Sequence, residues 1–348
     1  MQRNLKKERT KHLNECGMIF AEFLIANARV NNMCPEVSVV IPNYNCVNYL
    51  PRAISSALDQ KNVAIEIIVI DDGSTDDSLV WLNRNKRMYN QIRVISQTNK
   101  GVIAARNRAI SEANSRYIAF LDADDYWPVD KLAEQLNFMK SRRACGLSFT
   151  NYQHVNTEHK EIVDCFSYWP EFSKHIDPSV DDYQLLPNAV NRILETNVIG
   201  TSSVMVKKQH IERAGGFDPT LKSAEDWDCW LRIALDSEVA FTNKISMSYL
   251  MRPDSLTANR QQRIDAMYDI VARIVRHEKV DRASYQLALT RILESQGELH
   301  RLHQQFYTAL RYSSLAFYRA PHIRRFKALL SDAKNLLQSS IIQQAKVK

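Results

Sequence analysis

Short runs of β-branched and apolar residues alternate, along the first third of the chain, with segments in which apolar residues recur every three to four positions. The runs predict buried strands, and the helical period predicts helices with one face on the core, the first of them capped by Asn48. The predicted strands are 37–41, 65–70, 92–96 and 117–121, and the predicted helices are 50–58, 76–85 and 102–113. This alternation predicts an α/β fold with a Rossmann-like, mostly parallel βαβ sheet.

The pattern changes further along the chain. It predicts a helix over 130–139, a strand over 146–150, an irregular segment over 151–199, a strand over 200–206, and a helix capped by Ser223 that runs to about 234. From about 262 onward the apolar spacing predicts helices only. We therefore divide the chain into an N-terminal extension (1–34), a main domain (35–260) and a helical, basic C-terminal region (261–348).

Composition excludes several classes of protein. With 348 residues, 45% of them hydrophobic and only 8 glycines, the chain has enough apolar material for a core and is neither collagen-like nor dominated by flexible linkers. Its six cysteines form no CxxC pair and no zinc-finger spacing, which favours a reducing compartment such as the cytoplasm. No apolar run reaches the roughly 20 residues of a membrane-spanning helix.

The positive charge is concentrated at the end of the chain. Segment 301–348 carries nine Lys and Arg and one acid, so residues 1–300 sum to −1 although the whole chain has a net charge of +7. Aromatic residues are interleaved with these cations, as in helices that lie on anionic membranes or bind nucleic acid, and a solvated basic helical face is the third interpretation. The slightly negative remainder counts against nucleic acid as a partner.

Acidic residues follow two of the predicted strands directly. Asp122, Asp124 and Asp125 come after the strand 117–121, and carboxylates this close repel each other unless a cation is shared between them. Hard oxygen ligands favour Mg²⁺ or Mn²⁺, and ligands bind at the carboxyl ends of the strands in such sheets. The alternative is a solvated acidic turn that caps the next helix.

Two further acidic sites are candidates for chemistry. Asp72 follows the strand 65–70 and can accept hydrogen bonds from a nucleobase or a ribose, although an Asx turn explains the same residues. Glu225 and Asp226 fall in the first turn of a predicted helix, where the helix dipole favours ionised carboxylates. One of them is a candidate general base, and simple capping of the dipole is the alternative. Neither a GxGxxG nor a GxxxxGK[ST] motif is present.

Taken in order, these segments resemble the family 2 glycosyltransferases, which have the GT-A fold and use nucleotide-diphosphate sugars. The matching segments are VSVVIPNYN (37–45), EIIVIDDGSTDDS (66–78), NKGVIAARNRAI (99–110), RYIAFLDADDYWPVDKL (116–132), GTSSVMVKK (200–208), GGFD (215–218) and EDWDCWLRIA (225–234). The resemblance extends over residues 37–255.

The resemblance implies a role for each matching position. The positions that bind the uridine match Pro42, Tyr44 and Asp72, and the segment beside the base and the diphosphate matches Asn99 to Arg106. The DxD motif matches Asp122 and Asp124, with Asp125 near the metal. The general base matches Asp226, or else Glu225. Trp127 and Trp227 or Trp230 are candidates for stacking on a sugar ring. One base and one Mg²⁺ or Mn²⁺ ion imply an inverting reaction.

The resemblance also implies a biological setting. The Q/RxxRW stretch of processive synthases is absent, so we expect a non-processive enzyme that adds one sugar per encounter. Similar enzymes extend bacterial cell-surface glycans on glycan or lipid-linked acceptors. This implies a cytoplasmic enzyme that is peripheral to the inner membrane face and contacts anionic lipid through its basic C-terminal region. A non-catalytic protein that binds sugar nucleotides is the alternative.

Overall fold

A single nine-stranded sheet organises the described part of the chain. The computed structural model describes residues 34–252 and 259–347, with side chains described as far as residue 339. In chain order the strands are β1 (Val37–Asn43), β2 (Ile65–Asp71), β3 (Ile92–Ser96), β4 (Tyr117–Phe120), β5 (Cys145–Val155), β6 (Glu161–Asp164), β7 (Gln184–Leu185), β8 (Met205–Lys207) and β9 (Glu238–Leu250). Their order in the sheet is β3-β2-β1-β4-β8-β5-β9-β7, and β6 pairs with β5.

Helices connect the strands and form the C-terminal region. In chain order they are α1 (Leu50–Leu58), α2 (Ser78–Asn85), α3 (Val102–Glu112), α4 (Lys131–Ser141), α5 (Cys165–Tyr168), α6 (Pro170–Ser173), α7 (Ala189–Glu195), α8 (Lys208–Arg213), α9 (Glu225–Asp236), α10 (Arg260–Ile274), α11 (Arg282–Leu302), α12 (Phe306–Arg319) and α13 (Ile323–Val347). None of the described helices is both long and apolar enough to cross a bilayer.

The first half of the sheet is parallel, as the sequence predicts. Strands β3, β2, β1 and β4 pair in parallel, and Val39 of β1 lies between Ile67 of β2 and Ala119 of β4. All three side chains are fully buried, which is typical of a sheet covered by helices on both faces. In register, Asn43 pairs with Asp71, so the loops after β1, β2 and β4 meet at one edge of the sheet.

The second half of the sheet is mixed. Strand β8 runs antiparallel to both of its neighbours, β4 and β5, whereas β5 and β9 pair in parallel with shifts in register. The predicted strand 200–206 is wrong for most of its length, because Thr201–Ser203 form a 3₁₀ turn and only Met205–Lys207 form a strand. Strand β9 was not predicted, because the exposed residues Asn243–Ile245 interrupt its buried positions and remove the simple alternation of a half-buried strand.

Both predicted helix caps are corrected by the structure. Helix α1 begins after Tyr49 rather than Asn48, without a side-chain cap, and Pro51 in its first turn has no N–H group that needs an acceptor. Helix α9 begins after Ala224 rather than Ser223, and Ala224 has a left-handed backbone with φ 55°. The N–H of Trp227 is satisfied from within the helix by Asp226 Oδ1 at 2.7 Å.

The C-terminal helices pack on the sheet domain. Buried side chains of α10 and α11, among them Ile264 and Ile292, belong to the same hydrophobic cluster as the sheet. Helix α11 is also held to α7, because Ser284 Oγ donates to Glu195 Oε1 at 2.7 Å and Arg291 donates to the Glu195 carbonyl at 3.2 Å. The prediction of helices alone beyond residue 262 is confirmed for the described residues. The domain boundaries at 34 and 260 stay predictions, and the extension lies almost wholly outside the described residues.

Candidate active site

The loop after β1 is tied to the loop after β2. Asn43, which is buried, donates through Nδ2 to Asp71 Oδ1 at 2.9 Å and to Ser74 Oγ at 3.1 Å. This leaves Pro42 partly exposed and Tyr44 47% exposed at the edge of the sheet. An exposed tyrosine beside a fixed turn offers a flat face to a planar ligand. The structure therefore places the two residues at the edge where the strand ends meet.

Asp72 organises the neighbouring loop. Its Oδ1 accepts from Gln97 Nε2 at 2.8 Å and from the Lys100 backbone at 2.9 Å, and its Oδ2 accepts from the Gly101 backbone at 2.7 Å. The carboxylate thus fixes the segment that contains Asn99, just before α3. Asp72 is 3% exposed, so it shapes this edge chiefly through the loop that it holds. Gly73 makes the approach possible, since a Cβ there would lie 2.8 Å from the Asn99 nitrogen.

Arg106 connects two of the predicted acidic sites. From α3 it donates through Nη2 to Asp122 Oδ1 at 2.7 Å and through Nη1 to Glu225 Oε1 at 2.8 Å. Burial alone would lower the pKa of this guanidinium, but the charges of Asp122 and Glu225 outweigh burial and raise it. Its guanidinium therefore bridges the end of β4 and the start of α9, and its place beside the diphosphate stays a prediction.

Asp124 has a separate arginine partner. Arg252, which follows β9, lies with its Nε 2.9 Å from Asp124 Oδ2 and with its guanidinium 4.8 Å from the centre of the Tyr49 ring. Burial, followed by the charge of Asp122, raises the pKa of the Asp124 carboxyl. The two carboxylates of the DxD motif therefore repel each other, and each is compensated by its own arginine.

Asp125 does not join the other two carboxylates as the sequence led us to expect. Its Oδ2 accepts from Ser202 Oγ at 2.5 Å and its Oδ1 accepts from the Leu250 backbone at 3.2 Å, and the residue is only 2% exposed. Ser202 Oγ in turn accepts from the Asp122 backbone at 2.9 Å. Both oxygens of Asp125 are thus occupied by protein donors, so we correct its predicted role from metal ligand to a residue that fixes the turn.

Asp122 and Asp124 fit a divalent cation. Their side chains are 27% and 20% exposed, both are hard oxygen donors, and a cation between them would relieve the repulsion that raises the pKa of Asp124. Across 34–252 and 259–339, no group of three His, Cys, Asp or Glu side chains is arranged to hold a metal. A metal held by two carboxylates keeps coordination positions for phosphate oxygens, as is usual for Mg²⁺.

Asp226 lies beside this network with a different set of partners. Thr201 Oγ1 donates to its Oδ2 at 3.1 Å, and the Trp227 backbone donates to its Oδ1 at 2.7 Å. Glu225 is bound to Arg106, and burial raises the pKa of its carboxyl more than that arginine lowers it. The left-handed backbone of Ala224 directly precedes the two acids, and such strained positions are common at functional sites.

The sequence pattern does not indicate several residues of the site, and one of the expectations is wrong. Thr201 and Ser202 fall in a segment predicted as a strand, and Arg252 lies outside the motifs that the sequence displays. Trp127, Trp227 and Trp230 were candidates for stacking on a sugar, but none is more than 4% exposed. The indole N–H of Trp127 donates to the Ser202 carbonyl at 2.7 Å and that of Trp227 to the Ile193 carbonyl at 2.8 Å, so these rings support the site from the core.

Solved structures with the same architecture identify the class of the fold. TarS 1-349 of S. aureus in complex with UDP-GlcNAc matches with a TM-score of 0.58 and 20% identity, over 84% of this chain and 83% of that one. A mannosyltransferase of Pyrobaculum calidifontis, in complex with GDP-Man and Mn²⁺, matches with a TM-score of 0.58 and 18% identity, over 91% of this chain and 89% of that one. The fold is therefore that of the GT-A glycosyltransferases, and the predicted fold class is confirmed.

The sequence comparisons identify the family. The family model described as glycosyl transferase family 2 matches residues 38–195. TuaG of Bacillus subtilis, a glycosyltransferase assigned to teichuronic acid biosynthesis, is 31% identical over 66% of this chain and 85% of its own length. Hyaluronan synthase of Pasteurella multocida is 29% identical over 66% of this chain, but the match spans 22% of that longer protein. The chain belongs to glycosyltransferase family 2, and it is an enzyme of that class.

Proposed function

We propose that the protein transfers one sugar from a nucleotide-diphosphate sugar, specifically a UDP-sugar, to a hydroxyl of a glycan or lipid-linked glycan acceptor. The proposed reaction inverts the anomeric centre, depends on Mg²⁺ or Mn²⁺, is non-processive and serves bacterial cell-surface polysaccharide synthesis. UDP-GlcNAc in the TarS complex supports a uridine donor. Mn²⁺ in the mannosyltransferase complex supports the metal, and the assignment of TuaG to teichuronic acid biosynthesis supports the pathway.

The observation that carries the proposal is the contrast between the two acids at the start of α9. Glu225 is bound to the buried Arg106, whereas the donors to Asp226 among the described residues are Thr201 Oγ1 and the backbone of its own helix. Within the described residues, no Lys, Arg or His lies within ion-pair distance of Asp226. A carboxylate without a direct ion pair can accept a proton, so we assign the general base to Asp226 and a structural role to Glu225.

The chemistry follows from this assignment. Asp226 takes the proton of the acceptor hydroxyl, whose oxygen then attacks the anomeric carbon while the bond to the nucleoside diphosphate breaks. The departing diphosphate gains negative charge, which a divalent cation held by Asp122 and Asp124 would stabilise as a Lewis acid. The pair formed by Arg106 and Asp122 holds one of these carboxylates in place. A single displacement with one base inverts the configuration of the transferred sugar.

We also propose that the enzyme works at a membrane surface, because a lipid-linked acceptor is confined there. The C-terminal region supplies the cations for an anionic surface, although part of its charge is used internally. Arg301 pairs with Asp332, and both Arg324 and Arg325 pair with Glu294. These three arginines stabilise the packing of the C-terminal helices. Membrane contact therefore depends on the remaining cations of the region.

Replacing Asp226 with Asn tests the base. The substitution keeps the size, and its amide can accept from the Trp227 backbone through oxygen and donate to the Thr201 hydroxyl through nitrogen, but it removes the acceptor of the proton. We expect UDP binding within about twofold of wild type and transfer that is slower by about 10²–10⁴-fold. The assay measures UDP release with a panel of UDP-sugars and acceptors, alongside calorimetric titration with UDP. Asp236→Asn, at the exposed end of the same helix, is the matched control and should behave as wild type.

The outcomes separate the alternatives. Transfer by Asp226→Asn at near wild-type rates would exclude this residue as the base. Loss of both transfer and UDP binding would assign it to the structure of the site instead. If the wild type binds UDP but transfers no sugar from any donor to any acceptor, the alternative of a non-catalytic sugar-nucleotide-binding protein is favoured.

A further inference from the structure

A row of apolar side chains lies exposed along helix α13. We call it the α13 stripe, and it consists of Ile323, Phe326, Leu330 and Leu337, which are 63%, 41%, 54% and 66% exposed. The intervals of three, four and seven residues place all four on one side of the helix. Single exposed apolar residues are ordinary on protein surfaces, but several aligned along one side of a helix indicate a surface that contacts a partner.

The opposite side of α13 fixes the orientation of the helix. Asp332 is fully buried there and accepts from Arg301 Nη2 at 2.9 Å and from the Ser313 hydroxyl. Arg325, also buried, lies with its Nε 2.8 Å from Glu294 Oε1 of α11. Because this buried ionic face attaches α13 to α11 and α12, the stripe points away from the protein.

Two exposed lysines border the α13 stripe. At about 100° per residue, the stripe together with Lys327 and Lys334 falls within an arc of roughly 100° around the helix axis. Both lysines are exposed, and the acid among the described side chains of α13, Asp332, lies on the buried face. The outward face is thus apolar along its centre and cationic along one border.

The apolar surface continues onto the neighbouring helix. The Phe326 ring lies 5.6 Å from the ring of Phe317 in α12, and the next residue, Tyr318, is 83% exposed. Tyrosine is enriched at membrane interfaces because its ring is apolar and its hydroxyl is polar. An exposed tyrosine at this border therefore extends the same surface.

The charge pattern decides between two partners for this surface. A second copy of the chain could contact the α13 stripe with its own α13 stripe, as two helices do in a coiled coil. In that arrangement Lys327 and Lys334 would lie beside the contact. The outward face of residues 323–339 contains no acid that could pair with these lysines. An anionic bilayer supplies negative charge along the whole face, and lysines can extend their ammonium groups to headgroups while their alkyl stems cover apolar surface.

We propose that the α13 stripe, with Lys327 and Lys334, is the surface through which the enzyme binds an anionic lipid bilayer. Phe326 and Leu330 enter the boundary between headgroups and acyl chains, and the two lysines contact anionic headgroups. This inference rests on the membrane association proposed above and assigns that association to one helical face. The internally paired arginines of the C-terminal region take no part in it.

Co-sedimentation of the full-length protein with vesicles tests this assignment. The vesicles contain phosphatidylcholine alone, or phosphatidylcholine with about 30% phosphatidylglycerol, which gives the surface a negative potential. Leu330→Ser/Leu337→Ser removes two exposed stripe residues, and Val80→Ser, which alters a residue that is 69% exposed on α2, is the apolar control. We expect the double variant to lose about tenfold or more in binding to anionic vesicles and the control to bind as wild type.

The lysines have their own variant and control. Lys327→Gln/Lys334→Gln should weaken binding at low salt by about fivefold per lysine, with the effect reduced at high salt. Lys86→Gln/Lys160→Gln removes two exposed lysines elsewhere and should have little effect. All of these substitutions are at exposed positions, and UDP binding by each variant should match the wild type.

The possible results assign failure to a single part of the proposal. If the wild type binds no vesicles, membrane association itself is wrong. If the wild type sediments with vesicles and both Leu330→Ser/Leu337→Ser and Lys327→Gln/Lys334→Gln sediment equally well, the assignment to the α13 stripe is overturned, whereas membrane association is retained. Equal binding to neutral and anionic vesicles would overturn the role of the lysines. Light scattering that shows a dimer of the wild type, lost in Leu330→Ser/Leu337→Ser, would replace the bilayer with a second copy.

Discussion

Replacing Arg106 with methionine should destabilise the protein strongly, because this guanidinium compensates two carboxylates at once. Arg106 lies 2.7 Å from Asp122 and 2.8 Å from Glu225, and the side chains of the three residues are 6%, 27% and 13% exposed. Removal of one partner of a buried ion pair typically costs about 3–5 kcal/mol. Because water reaches part of Asp122, we expect a loss of about 3 kcal/mol in the free energy of unfolding.

Urea unfolding, followed by circular dichroism, measures this loss. The matched control is Arg108→Met on the same helix, whose side chain is 53% exposed and pairs with Glu112, so that its loss should be at most about 0.5 kcal/mol. The double variant Arg106→Met/Glu225→Gln should recover at least about 1 kcal/mol relative to Arg106→Met, because one of the two uncompensated charges is then absent. A loss below about 1 kcal/mol for Arg106→Met, similar to the control, would refute the reasoning.

Two further predictions concern a buried lysine and a glycine. Burial lowers the pKa of Lys131 to about 7, whereas a lysine in the unfolded chain titrates near 10.5. Between pH 7 and pH 10.5 the unfolded chain therefore binds more protons than the folded protein. The free energy of unfolding should consequently rise with pH across this window. Lys131→Met should be more stable than wild type by about 2 kcal/mol or more at pH 6.5, and the difference should shrink by pH 9. Urea unfolding across this pH range measures the difference. A difference that stays constant with pH would contradict the account. Gly73 has a φ of 74°, and a Cβ there would lie 2.8 Å from the Asn99 nitrogen. Gly73→Ala should therefore cost about 1–3 kcal/mol and weaken UDP binding, whereas Gly297→Ala, at a helical position of α11 where a Cβ would lie 3.5 Å from its nearest neighbour, should cost less in the same unfolding assay.

The parallel half of the fold was predictable from the sequence because its signals are local. Strands β1, β2 and β4 are short, predominantly apolar runs, and the helix between β1 and β2 shows a clear 3.6-residue period. The acids that follow these runs must then meet at one edge, because parallel strands end together. A site for the nucleotide-sugar donor at this edge can therefore be predicted without knowledge of distant contacts.

The mixed half was less predictable because its structure depends on distant contacts. Strand β8 has only three residues, Met205–Lys207, and it is a strand because it fits between β4 and β5. The turn Thr201–Ser203 was mistaken for part of that strand, although its hydroxyls bind Asp125 and Asp226. Such partners lie 25 and 77 residues away in the chain, beyond what a periodic pattern can indicate.

The candidate site shows the same division. Sequence patterns located Asp122, Asp124 and Asp226, but they could not show that Asp125 turns inward to the Leu250 backbone or that Arg106 bridges two acids. Both arrangements depend on side-chain direction and on pairing across the sheet. The resemblance to a family implies the roles, and the geometry shows the hydrogen-bond and ion-pair partners on which the proposed roles are argued.

Calorimetric titration of the protein with UDP, in the presence and absence of Mn²⁺, tests the central claim most directly. The account predicts that Mn²⁺ strengthens UDP binding by about tenfold or more, since the cation would link the diphosphate to Asp122 and Asp124. It also predicts that Asp124→Asn abolishes this enhancement while binding in the absence of metal persists. UDP binding that is equally tight with and without Mn²⁺, or an enhancement that Asp124→Asn retains, would contradict a metal-dependent donor site at this edge of the sheet.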